Sequence, residues 1–393
     1  MNHKMTNFEL LAKPTGSNCN INCDYCFYLE KEHLYPERKN NWKMNYDVLV
    51  AYVKAYINSH PGDTVNFIWQ GGEPTLAGIE FFERAVDLQH KYANGKKISN
   101  SLQTNGLSLS LKWANFLRKN NFLVGISIDG NEQHHDHYRK NRSGKGTYQQ
   151  VIRSIDLLNE FDVEFNTLTV VSDYNAKEPL EVYESLKAIG SRYMQFIPLV
   201  ERIAQKPDQD GLYLIKPDFS GQCAVTNWSV QPKSYGSFLN AIFDSWAKND
   251  IGQYFVMNFE QTMNQLIGGE GSCVFSKNCG ANLAIESNGD IYSCDHYVYP
   301  GNKLGNIMND SLFDMVVGDQ QQKFSSSKQN NISSDCLKCP VLKVCNGGCP
   351  KHRFMNSTNG IPNKNYLCDG FYKHFYHVVP RMKYILNKIY DTN

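Results

Sequence analysis

"KISNSLQTNGLSLSLKWANFLRKNNFLVGISIDG", residues 97–130, begins and ends in an apolar run with a helical pattern between them. "KISNSLQT" and "FLVGISID" mix β-branched and aromatic residues and stop at turn formers, as buried strands do. "LSLKWANFLRKN" spaces its apolar residues three and four apart, the period of an amphipathic helix. The unit recurs along the first half of the chain. "FELLAKP", "TVNFIWQ", "VEFNTLTVV" and "YMQFIPLV" read as further strands, and "YDVLVAYVKAYINS", "GIEFFERAVDLQHKYA", "TYQQVIRSIDLLNEF" and "EPLEVYESLKAIG" as further helices. Strand then helix, repeated about six times, predicts parallel strands joined by right-handed crossovers. The expected fold is α/β, a partial (β/α)6 TIM-type barrel with a C-terminal cysteine-rich extension. In such a barrel the chemistry gathers at the C-terminal strand ends. "QGGEP" (Gln70 to Pro74), "QTNG" (Gln103 to Gly106) and "SIDG" (Ser127 to Gly130) stand at those ends.

The 393 residues are 41% hydrophobic and 20% charged, the profile of a folded chain with room for more than one domain. A formal net charge of +1 gives no reason to expect nucleic acid or an anionic membrane as partner. "MNHKMTNFEL" lacks the apolar core of a signal peptide, and no run is long enough to span a bilayer. These features predict a cytoplasmic protein. The predicted division is a barrel over 1–230, a helical linker over 231–269, a cysteine-rich domain over 270–370 and a closing helix over 371–393. "LAIES" and "DIYSC", joined by Asn288 and Gly289, read as a short hairpin in the third of these.

Twelve cysteines in a reducing compartment point to metal or redox chemistry rather than disulfides. Cys19, Cys23 and Cys26 form a C-x3-C-x2-C loop after the first strand. Cys273, Cys279, Cys294, Cys336, Cys339, Cys345, Cys349 and Cys368 crowd the last third, and Cys223 stands alone between. A structural zinc takes four ligands. Three thiolates on a [4Fe-4S] cubane leave one iron open to an exchangeable ligand. The late eight, taken alone, suit two structural zinc sites as well as two clusters.

With Tyr25 just before its third cysteine, the loop Cys19, Cys23, Cys26 resembles the signature of the radical S-adenosylmethionine (SAM) superfamily. The resemblance implies that SAM is the ligand of the open iron. It also implies SAM contacts from Gly71, Gly72 and Glu73 of "GGEP", from the strand end at Ser127, and from Arg139; without the resemblance, Ser127 and Asp129 read as caps of the next helix. Cys336-x2-Cys339-x5-Cys345-x3-Cys349, with Cys368, resembles the SPASM extension. That resemblance implies one auxiliary [4Fe-4S] cluster on Cys273, Cys279, Cys294 and Cys349, and another on Cys336, Cys339, Cys345 and Cys368. Three clusters and SAM are therefore the implied cofactors.

"KPTGSNCNINCDYCFYLEKEHLYP", "WQGGEPTLAGIEFF", "SLQTNG", "FLVGISIDG" and "NGDIYSCDHYVYP" are together similar to the anaerobic sulfatase-maturating enzymes. That family oxidises a cysteine or serine of a sulfatase to Cα-formylglycine without oxygen. The resemblance implies that a 5′-deoxyadenosyl radical takes a Cβ hydrogen, Asp295 removes the side-chain proton, and an auxiliary cluster accepts the remaining electron. Tyr28 and Gln70 match positions near the substrate peptide, and His296 and Tyr297 follow Asp295 toward it. The implied partners are a sulfatase polypeptide and a reduced flavodoxin- or ferredoxin-like electron donor.

Two other functions fit parts of this pattern. A radical SAM and SPASM enzyme could cross-link a ribosomal peptide through a thioether or carbon-carbon bond. Such enzymes often carry an N-terminal peptide-recruiting domain, and here the first strand is expected within the first ten residues. A zinc scaffold without catalysis is the third reading, and it predicts a colourless protein. "HHDHYRK", with His134, His135 and His137, reads as a solvated helix face. "GKGT" lacks the earlier glycine and the strand of a phosphate loop.

Overall fold

The computed structural model describes residues 7–35, 42–208, 210–219 and 221–391. Pro36, which ends the first family-like segment, and the extreme ends of the first and last predicted domains lie outside them. Six strands form the expected parallel series: β1 (Glu9–Ala12), β2 (Thr64–Trp69), β3 (Lys97–Thr104), β4 (Phe122–Ser127), β5 (Phe165–Val171) and β6 (Tyr193–Pro198). The connecting helices are α1 (Tyr46–Ser59), α2 (Ile79–Tyr92), α3 (Leu111–Lys119), α4 (Glu132–Tyr138), α5 (Tyr148–Glu160) and α6 (Pro179–Ala188). Each strand from β2 to β5 pairs in parallel with both neighbours. The partial (β/α)6 barrel is therefore the observed core.

The sheet does not stop there. A small hairpin, β7 (Arg202–Ala204) and β8 (Cys223–Val225), stands apart on the connection after β6. β9 (Phe255–Val256) then pairs in parallel with β6, between α7 (Pro232–Asn249) and α8 (Met257–Leu266). At the other edge, β10 (Asn282–Ile285) pairs in parallel with β1, and β11 (Asp290–Tyr292) and β12 (Lys303–Asn306) follow antiparallel. The result is one ten-stranded sheet in the order β12-β11-β10-β1-β2-β3-β4-β5-β6-β9. The hairpin read in the cysteine-rich segment is real, and it is an extension of the barrel sheet itself.

Aromatic residues fill the layer between sheet and helices. Tyr52 and Tyr56 of α1 meet Phe67 and Trp69 of β2 and, beyond them, Phe82 of α2, mostly edge to face with ring centres 5.1–6.0 Å apart. Each of these side chains is fully buried. Burial of one such side chain is worth about 1.5–3 kcal/mol, so this layer fixes how β1 and β2 present their C-terminal ends. The terminal helix Cys368–Asp391 packs on α7, where the buried His374 Nδ1 meets Asn240 Oδ1 at 2.9 Å. Among the described residues no helix is long and apolar enough to cross a membrane.

The histidine run on α4 corrects the sequence reading. His134 and His135 are buried, not solvated. His135 Nδ1 accepts the Asp129 main-chain N–H at 3.4 Å, so its proton is on Nε2, which faces Thr147 Oγ1 at 3.0 Å. Thr147 Oγ1 in turn donates to the Arg139 carbonyl. Burial, reinforced by Arg139, pushes His135 down to about 3, so the imidazole is neutral and serves as a bracket for the loop after β4. His134 Nε2 faces Glu178 at 2.7 Å, and only His137 lies toward solvent, stacked on Tyr174.

Candidate active site

β1 ends at Ala12, and the chain then turns through Lys13–Asn18 into the three-cysteine loop. The loop is held against the end of β2 by close backbone contacts. Gly72 N–H donates to Gly16 O and Glu73 N–H to Asn18 O, both at 2.8 Å. A Cβ on Gly72 would lie 2.2 Å from Asn18 O and 2.6 Å from Ser17 O, so only glycine permits this approach. Gly71 has φ +140, and a Cβ there would stand 3.0 Å from Gly16 O. Gly72→Ala is accordingly expected to lower stability by about 1–3 kcal/mol, the usual cost of overpacking. Because it pushes directly on the cysteine loop, it should also lower the iron bound per chain after anaerobic reconstitution.

Glu73 is fully buried, and its carboxylate is fully engaged. It accepts from Thr75 N and Oγ1, Thr104 Oγ1 and Asn105 N, at 2.5–3.1 Å. Asn105, from "QTNG", then reaches Cys19 Sγ at 3.6 Å through Nδ2. Glu73 thus ties the loops after β2 and β3 to the first cysteine. Ser127 Oγ, at the end of β4, accepts from Gln103 Nε2 at 3.0 Å. A Cβ on Gly125 would lie 2.1 Å from Gln103 Oε1, so this glycine leaves the space in which Gln103 crosses toward β4.

A second buried hub stands one turn further on. Arg139 binds Asp129 through Nε at 2.8 Å and Nη2 at 3.2 Å, and both side chains are less than a tenth exposed. Tyr25 Oη donates to the same carboxylate at 2.8 Å, and the Arg139 guanidinium lies 5.6 Å from the Tyr25 ring centre. Val170 N–H of β5 donates to the other oxygen. The aromatic residue of the cysteine signature is thereby fixed to the ends of β4 and β5.

Cys19 and Cys23 are buried and Cys26 half-buried. Burial pushes all three thiols up, Cys19 to about 11, and neighbouring cysteines raise Cys19 and Cys23 further. Three thiols converging where a free thiolate is disfavoured suit a bound metal group, which supplies the compensating charge. The late cysteines separate into two sets. Cys294 and Cys279 feel Cys273 and Cys349, whereas Cys345 and Cys368 feel Cys336 and Cys339. A cavity of about 50 Å³ is lined by Cys336, Cys339, Cys345 and Cys368 together with apolar Val341, Leu342 and Phe371. Donor chemistry and enclosure in these sets fit iron-sulfur clusters. Cys223 lies in neither set; Arg202 reaches its sulfur at 3.9 Å.

Asp295 follows Cys294 at the end of the hairpin and meets Lys13 Nζ at 2.5 Å. Loss of solvent would raise the carboxyl, but Lys13, with His296 and Lys31 nearby, outweighs it and holds Asp295 at about 2. Lys13 is 2% exposed and lies 4.1 Å from the Tyr28 ring centre. Tyr28 Oη bonds to Glu286, at the end of β10. Gln70 anchors the end of β2 to β1 through its main-chain N–H, which donates to Ala12 O at 2.8 Å. His296 Nδ1 stands 3.7 Å from Cys349 Sγ, and Tyr297 packs edge-on against Phe324. Lys13, Asp129 and Glu286 are the residues that sequence reasoning missed or took for helix caps. The only trace of Lys13 in the sequence is a lysine closing an apolar strand at the barrel's chemical end.

Comparison with known proteins places this arrangement. The Radical SAM superfamily matches residues 14–186, and SPASM, an iron-sulfur cluster-binding domain, matches residues 273–340. The chain is 42% identical over 381 residues to a serine-type anaerobic sulfatase-maturating enzyme of Bacteroides thetaiotaomicron, covering 97% of this chain and 91% of that one. It is 34% identical to a cysteine-type anaerobic sulfatase-maturating enzyme of Clostridium perfringens, over 98% of this chain and all of the other. The solved structure of native anSMEcpe with bound AdoMet and Cp18Cys peptide superposes with a TM-score of 0.84 at 32% identity, covering 98% of this chain and 100% of that one. Streptococcus suis SuiB bound to precursor peptide SuiA shares the fold alone, at 14% identity and a TM-score of 0.60. Family matches, identity along nearly the whole length and the structural superposition agree: the chain belongs to the anaerobic sulfatase-maturating enzymes.

Proposed function

We propose that this protein oxidises an active-site serine or cysteine of a sulfatase to Cα-formylglycine without oxygen, using Asp295 as the base. The observation that carries the reading is the Lys13–Asp295 pair, which ties the strand entering the three-cysteine loop to the residue beside Cys294. Cys19, Cys23 and Cys26 would hold the cluster that binds SAM. Cys273, Cys279, Cys294 and Cys349 would hold one auxiliary cluster, and Cys336, Cys339, Cys345 and Cys368 the other. Bound there, SAM and its cluster would supply the radical chemistry at the substrate Cβ–H, and an auxiliary cluster would take up the remaining electron.

The chain's own residues do the rest. Gly71 and Gly72 would offer main chain to SAM, and Ser127 would offer a hydroxyl at the end of β4. Glu73 and Arg139 act through the loops they brace, because their side chains are already engaged. Asp295, kept ionised by Lys13, takes the proton from the substrate hydroxyl or thiol. Tyr28 and Gln70 wall the peptide site. The domains divide at 230, 269 and 370, with the barrel sheet continuing into the third segment. A cytoplasmic location and a reduced flavodoxin- or ferredoxin-like donor complete the proposal.

The high identity to named maturases favours this reading over peptide cross-linking. The test is anaerobic incubation of reconstituted protein with SAM, a strong reductant and paired peptides bearing serine or cysteine in the sulfatase C-x-P-x-R motif. Formation of an aldehyde in at least one peptide, seen by mass spectrometry alongside 5′-deoxyadenosine, is the expected result. Deoxyadenosine with both peptides unchanged would overturn the substrate assignment.

A further inference from the structure

Two cations stand among the late cysteines, Lys328 buried and Arg353 half-buried. Lys328, on the helix Asp319–Asn330, is 1% exposed, and its Nζ donates to the carbonyls of Cys273 and Val274 at 2.8 and 2.9 Å. Arg353 donates from Nε to Gly347 O at 3.0 Å, from Nη1 to Lys328 O at 2.6 Å, and from Nη2 to Asn346 O and Gly348 O at 2.9 and 3.3 Å. Among the described residues neither forms an ion pair with a carboxylate. A charge drawn away from solvent without a partner is costly, so some other anion has to answer these two.

The place of Arg353 is set by an uncommon backbone. Asn346, Gly347 and Gly348 all have positive φ, at 47, 71 and 63. Such a run is left-handed, which glycine tolerates and asparagine accepts. It lets carbonyls from all three residues meet one guanidinium. These are the residues that separate Cys345 of one proposed cluster from Cys349 of the other. The guanidinium therefore sits in the seam between the two sets and is influenced by Cys279 and Cys349 on one side and Cys336 and Cys345 on the other. The cysteines that influence Lys328 most are Cys279, Cys349 and Cys273, all of one set.

A thiolate-ligated cluster is an anion that becomes more negative on reduction, and its potential depends on the charge around it. We propose that Arg353 raises the reduction potential of both auxiliary clusters and that Lys328 raises that of the first alone. The proposal rests on the cysteine assignment above. Arginine stays protonated in proteins, so its contribution is a constant of the fold. The set next to Asp295 faces Lys328 and Arg353, whereas the other faces Arg353 and Lys364, whose charge Asp335 already pairs at 3.4 Å. These charges thus favour placing the substrate's electron on the nearer set.

The experiment is a redox titration followed by electron paramagnetic resonance on fully reconstituted protein, with iron and sulfide counted first. Arg353→Gln should lower both auxiliary midpoints, Arg353→Lys should restore them, and Lys328→Gln should lower only the first. The SAM-binding cluster is the internal control, and its midpoint should not move. Auxiliary midpoints unchanged in loaded Arg353→Gln, or a second midpoint that falls in Lys328→Gln, would overturn the proposal. If Arg353→Gln loses iron, Arg353→Lys and Lys328→Gln decide. Unmoved midpoints in the first with a lowered first midpoint in the second support it, and any other combination overturns it. Wild-type protein with less than three clusters' worth of iron and sulfide would instead sink the cysteine assignment itself, a distinct result.

Discussion

Asp295→Asn is expected to lower the rate of peptide oxidation by about 10²- to 10⁴-fold, the span usual for loss of a positioned base. The amide preserves size but cannot take the substrate proton, and it leaves Lys13 facing a neutral group instead of the carboxylate now 2.5 Å away. The cysteines and the loop after β2 are untouched, so 5′-deoxyadenosine should still form. The diagnostic result is therefore uncoupling, with SAM consumed while the peptide aldehyde is nearly absent. Equal loss of both products would mean that Asp295 acts on cluster assembly or SAM binding rather than on the proton. Lys13→Met should produce a milder form of the same uncoupling, because the base then loses the cation that holds it ionised.

The second large effect is expected at Arg139. Arg139→Met leaves the Asp129 carboxylate, only 4% exposed, with Tyr25 and Val170 N–H as donors and no cation. Breaking one side of a buried pair typically costs about 3–5 kcal/mol, because the surviving charge is left uncompensated. Equilibrium unfolding in denaturant should show that loss. The double variant Arg139→Met with Asp129→Asn should recover a good part of it, since the stranded charge is then gone. A double variant as unstable as the single would show that the guanidinium matters for packing on Tyr25 more than for charge. Because Tyr25 directly precedes Cys26, the single variant should also hold less iron in the cluster on Cys19, Cys23 and Cys26.

The barrel was legible because its signal is local. Apolar period and turn residues gave β3 as Lys97–Thr104 and α1 as Tyr46–Ser59 at the positions where both occur. The cysteine sets were legible because spacing and a family resemblance speak about thiols directly. The charged residues around them were not. Asp129 reads as a helix cap because its partners Tyr25 and Val170 are 104 and 41 positions away. His134 and His135 read as solvated because their neighbours in sequence are polar, while Glu178 and Thr147, which actually meet them, come later in the chain. A period describes which face of a helix is apolar, and it does not say that a polar face will be closed over by another loop. Lys13 and Arg353 belong to the same class, for each is defined by groups brought to it only by the finished fold.

The pairing of β10 with β1, Glu9 opposite Asn282 through Ala12 opposite Ile285, matters for anyone building hybrids of these proteins. The interval between the first cysteine loop and Asp295 is measured out in rungs of a sheet, and a rung cannot be changed by a fraction. A slip of one residue would turn every side chain of β10 to the opposite face. A chimera that exchanges the C-terminal third must therefore carry β1 with it or reproduce this register. By contrast, lengthening the connection between β7 and β8, which carries none of the proposed cluster ligands, leaves the spacing of the redox centres as it was.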